Sequence, residues 1–348
     1  MNTLQIEGAV LDEATGLPLH VGNPIAEQRR LRQGALVLLP RDVLLLTGPD
    51  TLPWLDSITS QALEQLADGA STESLVLSPE GRIEHAMRLH RAGEQLWIVV
   101  DAGTGDALEA WLTRMRFYKE VEIARPEVVV VGTAGEPAAP LAWIDGWPDV
   151  APGGVRYGQP TGEPWRWSEA ILMPAEAEAL DAARFVGTMA AEALRIAAGR
   201  PSIAEVDDRS IPHELDWLTT AVHLAKGCYR GQETVAKVHN LGAPPRRVVL
   251  LHLDGSQNLP VAPGDAVLAG EAEVGAVTSS AMHDELGPIA LAVVKRGTPA
   301  DVDLTVRSAE GPLVAAGQQV LVPPSAGHAH RPPRLPRLGA VQRPAPPA

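Results

Sequence analysis

Six short apolar stretches lie between Arg246 and Val322: Val248 to Leu253, Asp265 to Leu268, Glu273 to Ser279, Ile289 to Val294, Asp303 to Val306 and Val314 to Val322. Glycine- and proline-bearing turns separate them, and almost no helical periodicity intervenes. Strands this short and this evenly spaced predict a small β-barrel over residues 246–322.

Upstream, the pattern changes. Asn23-Pro24 followed by Ala26, Leu31 and Gly34 predicts a helix with proline at its first position and glycine past its end. Ala35 to Leu39 and Val43 to Thr47, on either side of Pro40-Arg41-Asp42, read as a hairpin. Gly48-Pro49-Asp50 opens a helix carrying Trp54, Leu55 and Ile58. Strands follow at Ser74 to Leu77, at Arg82 to Arg91 with Ile83, Met87 and Leu89 on one face, and at Gln95 to Val100. Thr104 opens a helix with a Leu108, Trp111, Leu112 and Met115 stripe, and Val121 to Ala124 and Val128 to Val131 are β-rich. Antiparallel strands with interspersed helices make this an α+β chain, not a doubly wound parallel one. No glycine-rich phosphate loop follows a strand. The loop-rich stretch 132–167 carries Trp143, Trp147, Trp165 and Trp167, which predicts that it is packed down rather than solvated. Helical composition returns from Pro174 to Gly199.

Composition narrows the function. The 348 residues hold 29 Lys and Arg against 43 Asp and Glu, a formal net charge of -14, which argues against general nucleic-acid binding. Residues 323–348 hold Arg331, Arg334, Arg337 and Arg343, no acid, and eight of the 31 prolines; they read as a disordered Pro/Arg-rich tail, with a Pro-x-x-Pro spacing at Pro333 and Pro336. Neither a signal-peptide pattern nor a membrane-length apolar run is present, so a cytoplasmic protein is expected. The single cysteine, Cys228, excludes an intramolecular disulfide and a multi-thiolate metal site. His213, Glu214 and His223 lack a metal-ligand spacing, and no stably bound metal is expected.

Chemistry concentrates at Lys226-Gly-Cys-Tyr-Arg-Gly-Gln-Glu-Thr-Val-Ala-Lys237. Val235, Val238 and the Glu233/Lys237 spacing predict a helix from about Gly231 to Asn240. A lone cysteine is ordinarily a small buried hydrophobe. Ahead of a helix N-terminus and between Lys226 and Arg230, the same thiol is favoured as thiolate. Both readings stand on the residues alone.

The segment Lys-Gly-Cys-Tyr-x-Gly-Gln-Glu at 226–233 resembles the hallmark of the YgfZ-type folate-binding proteins, relatives of the glycine-cleavage T-protein, an aminomethyltransferase. Thr47-Gly-Pro-Asp50 with Trp54-Leu55 and Thr59, Ser78-Pro-Glu-Gly-Arg-Ile83, Arg195-Ile-Ala-Ala-Gly199, Val274-Gly-Ala-Val-Thr-Ser279 and Ile289-Ala-Leu-Ala292 are similar to further segments of that family. The resemblance implies an N-terminal extension over 1–22, two interlocked folate-binding subdomains over 23–245 with a break near 132–167, and the C-terminal barrel. It also implies tetrahydrofolate as cofactor, with Cys228 as reactive thiol and Lys226, Tyr229, Gln232, Glu233 and Arg195 around the folate. Clients or partners among iron-sulfur assembly proteins follow, and some family members are linked to transfer-RNA modification.

Two departures stand out. The paired aspartates of T-proteins align with His85 and Ala86, and the acid of their Arg-Leu-Glu-Ala-Gly segment aligns with Ala197. Alanine can neither pair with a pterin's donor edge nor move a proton. The expectation is therefore an accessory protein of iron-sulfur assembly or repair. The alternatives are a one-carbon transferase using His85 or Glu84, and a scaffold whose folate site has decayed. An anionic folate must find local cations, for which Arg195, Lys226, Arg230, Lys237, Arg246 and Arg247 are the candidates.

Overall fold

A computed structural model describes residues 6–256, 259–308, 312–327 and 329. The chain opens with a hairpin, β1 (Ala9–Leu11) and β2 (Pro18–Val21), and enters α1 (Pro24–Arg32). Asn23 caps α1, its side-chain oxygen accepting from the amides of Ile25 and Ala26, while Pro24 has no amide to satisfy. β3 (Leu36–Leu39) and β4 (Arg41–Thr47) follow.

The hairpin expected across Pro40-Arg41-Asp42 does not form. Only Pro40 separates the two strands, and a single residue of fixed φ cannot reverse the chain. β3 joins one sheet and β4 another. Beyond β4 lie α2 (Thr51–Ile58), β5 (Ser71–Leu77), β6 (Ile83–Ala92), β7 (Gln95–Asp101), α3 (Gly105–Met115) and β8 (Glu122–Ala124). Strands β5-β6-β7-β4-β8 make an antiparallel sheet in that order, backed by α2 and α3 through Trp54, Leu55, Leu108, Trp111 and Leu112.

The chain then returns to the first sheet through β9 (Val129–Thr133), β10 (Ala142–Ile144) and β11 (Ser168–Leu172). It continues through α4 (Pro174–Glu178), β12 (Phe185–Val186) and α5 (Thr188–Ala197). This sheet runs β10-β11-β9-β3-β12, with only the β3/β12 pair parallel among its neighbours.

A bulge corrects one expected face. Val76 opposes His85 but Leu77 opposes Ile83, so Glu84 is the extra residue and side-chain alternation flips across it. Ile83 therefore joins the core shared with the barrel, whereas Met87 and Leu89 join the core beneath α2 and α3.

After α6 (Gln232–Asn240), β13 (Arg246–Leu253), β14 (Ala266–Ala269), β15 (Ala272–His283), β16 (Gly287–Lys295), β17 (Leu304–Arg307) and β18 (Leu313–Val320) close into a six-stranded barrel. The six expected strands are all present. β13 is buried on both faces: Val249 and Leu251 fill the barrel, while Val248 and Leu250 pack outward with Ile196 and Ala197 of α5. The start of the expected tail is packed as well, since Ala326 is buried in that same outer core and Ala329 donates its amide to the His239 carbonyl. Residues 330–348, with the Pro-x-x-Pro spacing, lie outside the described residues. Among the described residues no helix is long and apolar enough to cross a membrane.

The helix α6 is fastened by stacked rings. Tyr157 lies between His213, at 6.3 Å and 24°, and His239, at 5.9 Å and 19°. The His213 Nε2 hydrogen donates to the Val235 carbonyl of α6 at 3.0 Å. Burial disfavours the imidazolium and pushes the His213 pKa down to about 4 from 6.5. The unfolded chain therefore takes up this proton first as pH falls, so the stabilisation is complete above pH 6.5 and is lost toward pH 4. Urea unfolding at a series of pH values is expected to show this loss at about 1.4 kcal/mol per pH unit in that window, and His213→Gln is expected to flatten the slope.

Candidate functional site

A cavity of about 380 Å³ lies where α1, α5, both sheets and the barrel meet. One stripe of α5, Thr188, Ala191, Glu192 and Arg195, forms a wall at helical spacing, and Ser280, Ala281 and Met282 of β15 face it from the barrel. Ile25 and Gln28 of α1 contribute, as do Leu39 and Arg41 on either side of the Pro40 crossover. Gln28 ties α1 to the barrel: its amide nitrogen donates to the Met282 carbonyl at 2.8 Å, and its oxygen accepts from the Asp284 amide at 2.9 Å. Trp143, Trp165 and Trp167 supply flat apolar surface; the last two stack at 5.3 Å and 19°. The four tryptophans of the 132–167 stretch do pack that loop down, and three of them also line the cavity.

The lining is held by buried arginines locked to carboxylates. Arg41 grips Glu169 through two bonds of 3.0 and 2.9 Å and reaches Asp101 at 2.7 Å. Arg88 lies 3.4 Å from Asp101 and 3.7 Å from Glu169, with its guanidinium 5.7 Å over the Trp143 ring. Burial pushes the Asp101 and Glu169 carboxyls up, but the charges of Arg41 and Arg88 outweigh it, holding Asp101 at about 2 and Glu169 below its ordinary value. Arg200 joins Glu73 to Asp145. Burial dominates at Asp145 and raises its carboxyl despite Arg200. Arg195 holds Glu192 at 2.6 and 2.9 Å and Glu205 at 2.9 Å, and donates to the Ser279 hydroxyl of the barrel at 2.8 Å.

The structure separates the residues grouped in the sequence reading. Arg195 lines the cavity, but Lys226, Cys228, Tyr229, Gln232 and Glu233 do not. Lys226 is inserted at the end of α2, its ammonium donating to the carbonyls of Asp56, Thr59 and Gln61 at 2.5, 3.0 and 2.7 Å, with the Asp56 carboxylate at 3.3 Å. It thereby satisfies carbonyls that the helix leaves open. Gln232 donates to the Lys226 carbonyl at 3.2 Å. Tyr229 is buried in the outer core, with Lys226 5.5 Å over its ring. Cys228 and Glu233 are exposed. Gly231 starts α6 at φ 84, and a Cβ there would meet the Ser78 carbonyl at 2.6 Å; this close approach seats the segment on the β5–β6 turn.

Of the other expected cations, Arg230, Arg246 and Arg247 are committed elsewhere. Arg230 pairs with Glu84 at 2.8 Å, and Arg246 with Asp207 and Glu214 at 2.6 and 2.8 Å. Arg247 is buried against the Thr298 carbonyl and the Gln318 side chain. Lys237 is exposed on α6. Among the described residues no cluster of His, Cys, Asp and Glu could hold a metal ion. His85 and Ala86, with Ala197, are also outside the cavity lining; Ala86 and Ala197 pack in the outer core.

No family model matches the chain. Its sequence is similar to an aminomethyltransferase of Nitrosococcus oceani, 29% identical over 138 residues, 38% of this chain and 37% of that protein. It is also similar to a putative chloroplastic transferase of Arabidopsis thaliana, 33% identical over 98 residues, 27% of this chain and 21% of that one. The chain thus spans well under half the length of either relative in these matches. The crystal structure of glycine cleavage system aminomethyltransferase T from Bartonella henselae superposes with a TM-score of 0.72 at 19% identity, over 93% of this chain and 95% of that one. The chain has the aminomethyltransferase T fold. Within that T-protein-like architecture the cavity sits between the α+β body and the barrel.

Glu73, Arg88 and Glu169 are the site residues that the sequence patterns do not single out: each is a charge on a β-strand, and each is part of the cavity framework. Lys226→Met leaves three carbonyls without their shared donor, and urea unfolding is expected to show a loss of about 1–3 kcal/mol. Cys228→Ser, at an exposed position, is expected to change stability by no more than about 0.5 kcal/mol.

Proposed function

We propose that this chain is a cytoplasmic folate-binding accessory protein of the YgfZ type, holding the ring system of a reduced folate in the central cavity and supporting iron-sulfur cluster assembly or repair. The observation that carries the reading is the cavity itself. Its volume of about 380 Å³ falls in the range of roughly 300–1,000 Å³ typical of small-molecule sites. Tryptophan faces suit a flat bicyclic ring, and carboxylates suit its N–H donors. Arg41, Arg88, Arg195 and Arg200 are all paired with carboxylates, which favours the neutral ring inside and the anionic glutamate tail toward solvent.

The accessory reading is supported over a transferase by the surroundings of the two substitute bases. His85 does not line the cavity, and Glu84 is paired with Arg230 on the outside of the β6 bulge. No carboxylate or imidazole at those positions reaches the cavity to move a proton to or from a bound folate amine. Cys228 is exposed and apart from the cavity, a position that suits contact with a client or assembly protein. One thiol cannot retain a cluster, so such contact is shared or transient.

Tetrahydrofolate titrated by calorimetry and by tryptophan fluorescence is expected to bind saturably and quench emission. Trp167→Ala is expected to weaken binding roughly tenfold, the loss of one aromatic contact; no binding by the native chain would overturn the folate reading and leave a scaffold. In a deletion strain, Cys228→Ser is expected to retain folate binding while failing to restore iron-sulfur enzyme activity. Full restoration would remove the thiol from the mechanism.

A further inference from the structure

We propose that Met189 and Met282 form a reversible oxidation site on the rim of the central cavity: a peroxide converts their thioethers to sulfoxides, and the cavity then holds its ligand less tightly. This rests on the cavity being a folate site and adds a regulation of that site.

The described methionines fall into two groups. Met87 is 1% exposed and Met115 packs against the core beneath α2 and α3, whereas Met173, Met189 and Met282 are 52%, 42% and 44% exposed. Met173 stands at the start of α4, outside the cavity lining, while Met189 and Met282 both belong to it. These two come from different layers, α5 and the barrel strand β15, and α1 brings them to the same end of the cavity. Glu27 accepts the amide of Gly187, two residues before Met189, at 2.7 Å. The next residue of α1, Gln28, holds the Met282 carbonyl and the Asp284 amide. Leu19, whose carbonyl lies against Gly187, joins Pro24 and Ile25 in completing an apolar rim there.

The reaction needs only a thioether and access to it. A sulfur lone pair attacks one peroxide oxygen, and the S–O bond forms as the O–O bond breaks. Sulfur gives up two electrons, and the second oxygen takes the proton of the first and leaves as water. Reversal consumes two thiols, which become a disulfide while the sulfoxide oxygen leaves as water; methionine sulfoxide reductases catalyse this step. Leucine at either position offers similar apolar area and no such reaction.

Oxidation turns a flexible apolar side chain into a polar one with a strong acceptor oxygen. The donors on this side of the lining are already used. Gln28 Nε2 donates to the carbonyls of Met282 and Pro24 at 2.8 and 3.3 Å, the Thr188 hydroxyl to the Pro18 carbonyl at 3.3 Å, and the Ser280 hydroxyl to the Val261 carbonyl at 2.6 Å. A sulfoxide oxygen turned toward a bound ring finds no free donor among these residues, so it must keep its water. A ligand covering the rim then buries an unpaired acceptor or leaves the rim wet, and in both cases loses the apolar contact that the thioethers supply.

The test uses the full chain, treated with hydrogen peroxide, cleared with catalase and reduced with dithiothreitol to return the thiol. Peptide mass mapping is expected to show one added oxygen on each of Met173, Met189 and Met282, with Met87 spared. Calorimetry is expected to show a loss of roughly tenfold in affinity for tetrahydrofolate, restored by a methionine sulfoxide reductase. The double variant Met189→Leu, Met282→Leu is expected to keep after treatment the affinity it had before, whereas Met173→Leu loses as much as the native chain. Unchanged affinity of the native chain with both rim methionines oxidised overturns the proposal and leaves the folate reading intact. An equal loss in the double variant also overturns it, since the effect then belongs to another residue. No binding by the untreated native chain overturns the folate reading itself, and this regulation with it.

Discussion

The arrangement of this molecule depends on arginines buried between its layers. Arg41 stands directly after the Pro40 crossover and joins Asp101 of one sheet to Glu169 of the other. Arg200 joins Glu73 of β5 to Asp145 beyond β10, and Arg195 joins α5 to the barrel through Ser279. Replacing a buried ion pair by apolar groups is often neutral for stability, but removing one partner leaves an unpaired charge and costs about 3–5 kcal/mol. These pairs act as registration marks. They penalise any packing of the two sheets, α5 and the barrel in which a guanidinium misses its carboxylate, and the cavity is the space that the correct packing leaves.

What could be read in the sequence follows from how local each signal was. The barrel strands, α1, α3 and α6 rest on periodicity, caps and turn residues within a dozen positions, and the structure places them where those signals stand. The hairpin across Pro40 failed because two adjacent apolar runs look alike whether the chain reverses or crosses between sheets. The bulge at Glu84 was equally invisible, since it is defined by the partner strand. The cavity framework was the least legible part: Arg41 and Glu169 are 128 residues apart, and Thr220 reaches Glu73 across 147. Its trace was a charge on a strand that ends in an apolar run, as in Ser71-Thr-Glu-Ser-Leu-Val-Leu77. Such a charge must find a buried partner, though the strand alone does not say which.

Proximity in sequence misled most with the cations. Lys226, Arg230, Arg246 and Arg247 lie near Cys228 along the chain, yet they serve an α2 terminus, Glu84, the Asp207/Glu214 pair and the barrel end respectively. Each of these four is engaged by carbonyls, an amide or carboxylates of its own neighbourhood, so a cluster of basic letters does not amount to a field of free positive charge. The consequence is direct: Arg41, Arg88, Arg195 and Arg200 beside the cavity are already paired with carboxylates and are not free positive charge.

The motif and the cavity are nevertheless attached to one element. α5 presents Glu192 and Arg195 to the cavity and Ile196 and Ala197 to the outer core. Tyr229, the residue after Cys228, enters that same core. Interiors packed at crystal-like density transmit small displacements of a helix to whatever touches its far side. α5 therefore has the cavity on one face and, on the other, the outer core that Tyr229 of the Cys228 segment also enters. The cavity and the motif share no residue, and α5 is the element that stands between them.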